Sequence, residues 1–166
     1  RVKLPPSAKD PEHTHPTMVM TTAAGNGKLK GVAPDAVVYS DKWPDLSGGP
    51  NAFDVYKKII EGKLRGENNI RVINNSWGFS DNNVIVFKEV RDTLKQFKAV
   101  VDMAEKAGIL IVFSAGNEGE GMGVPGIGTL GLFGMDVDKL TGDEKKTLDY
   151  ILDKIILVGA SNTQGY

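Results

Sequence analysis

Ile109-Leu-Ile-Val-Phe-Ser-Ala-Gly-Asn-Glu-Gly119 opens with five consecutive apolar residues and ends in small and polar ones. An apolar run that does not alternate reads as a strand buried on both faces, the pattern of parallel sheets. Immediately upstream, Phe87, Val90, Leu94, Phe97, Val101 and Ala104 recur at spacings of three and four, with Gly108 placed to stop the helix they predict. A helix feeding straight into a buried strand is half of a crossover connection. The tail Ser114-Ala-Gly-Asn-Glu-Gly119 then falls at the carboxyl end of the strand, where open parallel sheets bind their ligands.

Three further runs read as strands: Ala36-Val-Val-Tyr-Ser40, Ile70-Arg-Val-Ile-Asn74 and Ile155-Ile-Leu-Val-Gly-Ala160. Phe53, Tyr56 and Ile60 share one face of a short helix, and another helical stretch runs from about Asp143 to Leu152. Strand and helix therefore alternate, which predicts an α/β fold with a doubly wound, mostly parallel sheet and helices on both faces. A second polar cluster, Asn74-Asn-Ser-Trp-Gly78, ends the second strand as Ser114–Gly119 ends the third. The segment 120–142 is glycine-rich without regular periodicity and predicts an extended loop. Its Gly121-Met-Gly-Val-Pro-Gly126 formally satisfies a dinucleotide-binding pattern, but it neither follows a strand directly nor opens a helix.

The chain has 166 residues, enough for one domain with its own core. Twenty Lys and Arg balance twenty-one Asp and Glu, a formal net charge of −1 that gives nucleic acid or an anionic membrane nothing to bind. There is no cysteine, which excludes disulfides and thiolate metal sites. No apolar run approaches the roughly 20 residues that span a bilayer, so no membrane contact by this segment is expected. Arg1-Val-Lys-Leu-Pro-Pro6 is neither an initiator methionine nor a signal peptide, and the expectation is a piece of a longer protein.

Both histidines lie in Asp10-Pro-Glu-His-Thr-His15. In an extended segment the rings of His13 and His15 would point to the same side and suit a metal ion, although no third ligand is identifiable. Pro16 favours a helix start, which would put His15 at the helix edge facing a cleft; a solvent-exposed histidine in a polar lead-in is the plain alternative.

Taken together, these stretches resemble the subtilisin-like serine proteases, or subtilases. His15-Pro-Thr-Met-Val-Met-Thr-Thr-Ala-Ala24 aligns with the family's H-G-T-H-V-A-G block at His15, Thr17 and Val19. Gly31-Val-Ala-Pro-Asp-Ala36 resembles G-V-A-P-x-A, and Val72-Ile-Asn-Asn-Ser-Trp-Gly78 resembles V-I-N-x-S-x-G. Ser114-Ala-Gly-Asn-Glu-Gly119 is similar to the A-A-G-N-x-G block, and Ile156-Leu-Val-Gly-Ala160 to the strand that follows. The blocks occur in family order across roughly residues 15 to 160, so the resemblance implies a partial subtilase peptidase domain over residues 1–166.

The resemblance implies a role for each matched residue. His15 is the general base, and Asn117 donates its carboxamide N–H to the tetrahedral oxyanion. Ser76, Trp77 and Gly78 offer backbone to an extended peptide, and Ser114, Ala115 and Gly116 line the pocket for the residue before the cut. Read from the residues alone, Asn117 is also a turn former and Ser76–Gly78 an ordinary strand-to-loop turn. The resemblance further implies a protein or peptide substrate, a secreted or cell-surface location and no cofactor.

Departures from the family pattern are as informative. Pro16 stands where the family has glycine, Met18 stands where it has a second histidine, and Gly25-Asn-Gly-Lys-Leu-Lys30 carries no carboxylate for calcium. The aspartate motif D-[ST]-G does not precede His15, and G-T-S-M-A does not follow Ala160; Ser161 lies in Ala160-Ser-Asn-Thr163, which resembles neither. The expectation is the central part of a serine endopeptidase that acts in the full-length protein, inactive as these 166 residues, with self-association through exposed sheet edges. A doubly wound ligand-binding module without catalysis and a metal-dependent hydrolase built on His13 and His15 are the alternatives.

Overall fold

The computed structural model describes residues 14–40, 52–76, 90–114 and 140–159. They fall in two compact units, Arg1–Trp43 and Pro44–Tyr166.

In the first unit, helix α1 spans Thr14–Ala24. Pro16 sits in its first turn, where the amide hydrogen it lacks has no intrahelical acceptor. At the other end the chain folds back over the helix. Gly25 donates to the Thr21 carbonyl, Asn26 and Lys30 form an antiparallel bridge, and the amides of Val32 and Ala33 return to the carbonyls of Thr22 and Ala23 at 3.0 and 2.8 Å. The carbonyls of Thr21, Thr22 and Ala23, in the last turn of the helix, are thereby satisfied. The return is so close that a β-carbon at Gly31 would lie 2.6 Å from the backbone nitrogens of Ala24 and Gly25, so only glycine fits there. Residues 36–40 form no strand, and Val37 and Tyr39 are 67 and 72% exposed. An apolar run becomes a strand only against a partner ladder, and no other strand lies among the described residues of this unit.

In the second unit, helix α2 (Ala52–Leu64) buries Phe53, Tyr56 and Ile60, the three positions spaced for one face. It runs through Gly66, at φ +75°, into a turn where Asn68 Nδ2 donates to the Ile59 carbonyl and Asn68 Oδ1 accepts from the Ile70 amide. Strand β1 (Val72–Asn75) begins two residues later than the run from Ile70 suggests. Helix α3 (Val90–Ala107) buries Leu94, Phe97, Val101 and Ala104, adds Val100 to that stripe, and ends at Gly108 with φ +65°, a left-handed stop. Phe87 lies outside the described residues. Strand β2 (Leu110–Ser114) follows, and then helix α4 (Gly142–Leu152) and strand β3 (Ile155–Val158). Of the loop expected over 120–142, residues 120–139 lie outside the described residues, the Gly121–Gly126 pattern among them. Its last residues belong to the start of α4. Thr141 Oγ1 accepts from the Glu144 amide while the Thr141 amide donates to the Glu144 carboxylate, a reciprocal cap. Those bonds, with the one donated by the Thr141 hydroxyl, hold the Glu144 carboxyl below the usual carboxylate range.

The three strands form one parallel sheet in the order β1-β2-β3. Val72 pairs with Leu110 and Asn75 with Phe113 on one side, and Ile111 with Ile155 and Ser114 with Val158 on the other. Strand order equals chain order, so both crossovers step the same way and, with one handedness, place their helices on one face. One core accordingly joins Ile111, Phe113 and Ile155 of the sheet to Phe53, Tyr56 and Ile60 of α2, to the α3 stripe and to Leu148 and Ile151 of α4. The sequence predicts helices on both faces; in this unit the described helices share one. The opposite face carries Val72, Leu110, Ile156 and Val158, each 46 to 55% exposed.

Helices α3 and α4 are also joined at their surface. Asp102 accepts from Lys98 Nζ at 2.8 Å and from the Tyr150 hydroxyl at 2.7 Å, which keeps its carboxyl below the usual range. Lys98 Nζ lies 4.4 Å from the centre of the Tyr150 ring, a cation over a π face.

Candidate functional site

The carboxyl ends of β1 and β2 carry the polar residues that the sequence singles out. The ladder's last pair is Asn75 with Phe113; Ser76 directly follows the end of β1 and Ser114 closes β2. Both are partly buried, and Asn74 Nδ2 donates to Ser76 Oγ at 2.8 Å across a single residue. Two strands thus deliver two hydroxyl-bearing residues to one edge of the sheet, the position where parallel sheets present ligand groups.

Behind that edge lies a buried amide. Alternation places Ile73 and Asn75 on the core face of β1, and Asn75 is only 3% exposed. Its Oδ1 accepts from the Tyr56 hydroxyl at 2.7 Å, and its Nδ2 donates to the Val112 carbonyl at 3.0 Å and, more weakly, to the Ile73 carbonyl at 3.4 Å. A buried carboxamide is tolerated only when its groups are paired in this way. Burial also pushes the Tyr56 phenol well above its ordinary value, so it remains a neutral donor throughout the range in which proteins are folded. Neither residue stood out as functional in the sequence. The available signal was a polar residue on the inward period of a strand, directly after Ile73.

His15 lies in the first turn of α1, exposed, and belongs to the other unit. Trp77, Gly78, Ala115, Gly116 and Asn117 lie outside the described residues, as does His13. Among the described residues no three His, Cys, Asp or Glu side chains come together as a metal site. No helix among them is long and apolar enough to cross a membrane.

No curated protein and no solved structure matches the chain. A family model does, the one described as the subtilase family, and it spans residues 2–165, nearly the whole sequence. A match of that extent agrees with the parallel sheet, its polar strand ends and the order of the sequence blocks, and the chain belongs to the subtilase family, the serine peptidases of subtilisin type.

Proposed function

We propose that the chain is the central part of a subtilisin-type catalytic domain, which hydrolyses peptide bonds in the full-length protein. The observation that carries this reading is the family match over residues 2–165. Supporting it, Ser76 and Ser114 end adjacent strands, where an extended substrate could pair with one strand end and place its side chain against the other. In this reading His15 takes the proton from a serine hydroxyl and returns it to the leaving amine. Asn117 stabilises the oxyanion, Ser76, Trp77 and Gly78 align the substrate backbone, and Ser114, Ala115 and Gly116 form the pocket wall.

Neither the aspartate block nor the serine block occurs within the 166 residues, so this chain by itself is inert. An active-serine fluorophosphonate probe is expected to label the full-length protein and to leave this chain unlabelled. Specific labelling of any serine within these residues would overturn the proposal.

The exposed face of Val72, Leu110, Ile156 and Val158, flanked by edge strands β1 and β3, supports self-association of the isolated chain. Sedimentation at micromolar concentration is expected to show species heavier than a monomer; a monodisperse monomer would refute this.

A further inference from the structure

The contact between Tyr56 and Asn75 joins three elements at one point. Tyr56 is on α2, Asn75 is the last residue of β1, and the Val112 carbonyl belongs to β2. All of it lies directly before Ser76, where the β1–β2 ladder stops. An apolar side chain at position 75 would fill the same space and avoid burying an amide. What it could not do is fix a direction, because dispersion contacts do not specify one and hydrogen bonds do. The amide clamps the strand end to β2 through one bond and to α2 through another, each with its own length and angle. A satisfied buried polar network of this kind selects one arrangement of its elements.

We propose that Tyr56 and Asn75 are a positioning pair that holds the backbone at Ser76 as the edge along which an extended peptide is aligned, an inference that rests on the peptidase reading above. The pair touches no substrate atom and acts only through Ser76. Its effect therefore falls on substrates long enough to lie along that edge, and spares substrates that reach only the pocket.

Tyr56→Phe removes the hydroxyl and keeps the ring, including its edge-on contact with Phe97 at 6.1 Å. It leaves the Asn75 oxygen without that donor, a loss that corresponds to about tenfold in a local equilibrium. In the 166-residue chain, amide hydrogen exchange at Asn75 and Ser76 is expected to quicken about tenfold while Ile151 of α4 keeps its rate. In the full-length protein, kcat/KM for a peptide with several residues before the cut is expected to fall about tenfold through KM. For a single-residue ester it should stay within about twofold. The double variant Tyr56→Phe/Asn75→Leu, which removes the buried carboxamide along with the hydroxyl that served it, is expected to regain thermal stability without regaining activity on the long peptide.

Equal losses on peptide and ester, unchanged or uniformly faster exchange, or recovery of long-peptide activity in the double variant would each overturn the proposal. Absence of labelling and turnover in the full-length wild type would instead sink the peptidase reading. The exchange measurement would still decide whether the pair fixes Ser76.

Discussion

Phe113→Ala is expected to cost about 3–5 kcal/mol of stability, the usual loss when a fully buried aromatic ring is truncated and the surroundings collapse only in part. Phe113 has no exposed surface, its ring lies 5.8 Å from that of Phe97, and its strand neighbours are Asn75 on β1 and Leu157 on β3. It therefore sits where the sheet meets α3. Domains are stable by about 5–15 kcal/mol, so such a loss leaves a marginal fold. Urea denaturation reads the effect as a fall in midpoint at constant slope. Leu110→Ala, on the exposed face of the same strand, is the control and should stay below about 1 kcal/mol. Comparable losses at the two positions would refute the assignment of β2's faces.

His15→Ala in the full-length protein is expected to lower kcat by about 10⁶, because base and nucleophile act as a unit and losing either forfeits nearly the whole contribution of the triad, while KM changes little. The side chain is exposed at the first turn of α1. Melting temperature measured beside turnover separates chemistry from folding, because a fall in turnover far beyond any change in folded fraction assigns the loss to the reaction. Wild-type turnover in the variant would remove His15 from the mechanism and leave the alignment of His15, Thr17 and Val19 with the family's histidine block as coincidence.

Sequence and structure agree best where the signal is local. The spacing of Leu94, Phe97, Val101 and Ala104 places α3, Gly108 ends it, and the run beginning at Ile109 gives β2. They part where the answer depends on something distant. Ala36–Ser40 has the composition of a strand, yet pairing is a property of two segments and no partner strand lies among the described residues of its unit. The β1 boundary lies at Val72, and before it the Asn68 side chain takes the Ile70 amide into a turn, a local bond that hydrophobicity does not register. At the candidate site, Ser76 and Ser114 were legible as strand-end residues, and the structure puts one just past the end of β1 and the other at the end of β2. Asn75 was not legible: asparagine at a strand end reads as a turn former, and bonds to distant groups, the Tyr56 hydroxyl nineteen residues away and the Val112 carbonyl among them, accompany its burial in the core.

The exposed face of the sheet has a meaning for the design of the whole domain. Val72, Leu110, Ile156 and Val158 are as apolar as the residues behind them, so these strands lack the inside–outside alternation of a sheet that faces water. Their composition is that of a central layer, written to be covered twice. The described helices of this unit supply one cover, and the composition of the other face is that of a sheet built to lie between two layers.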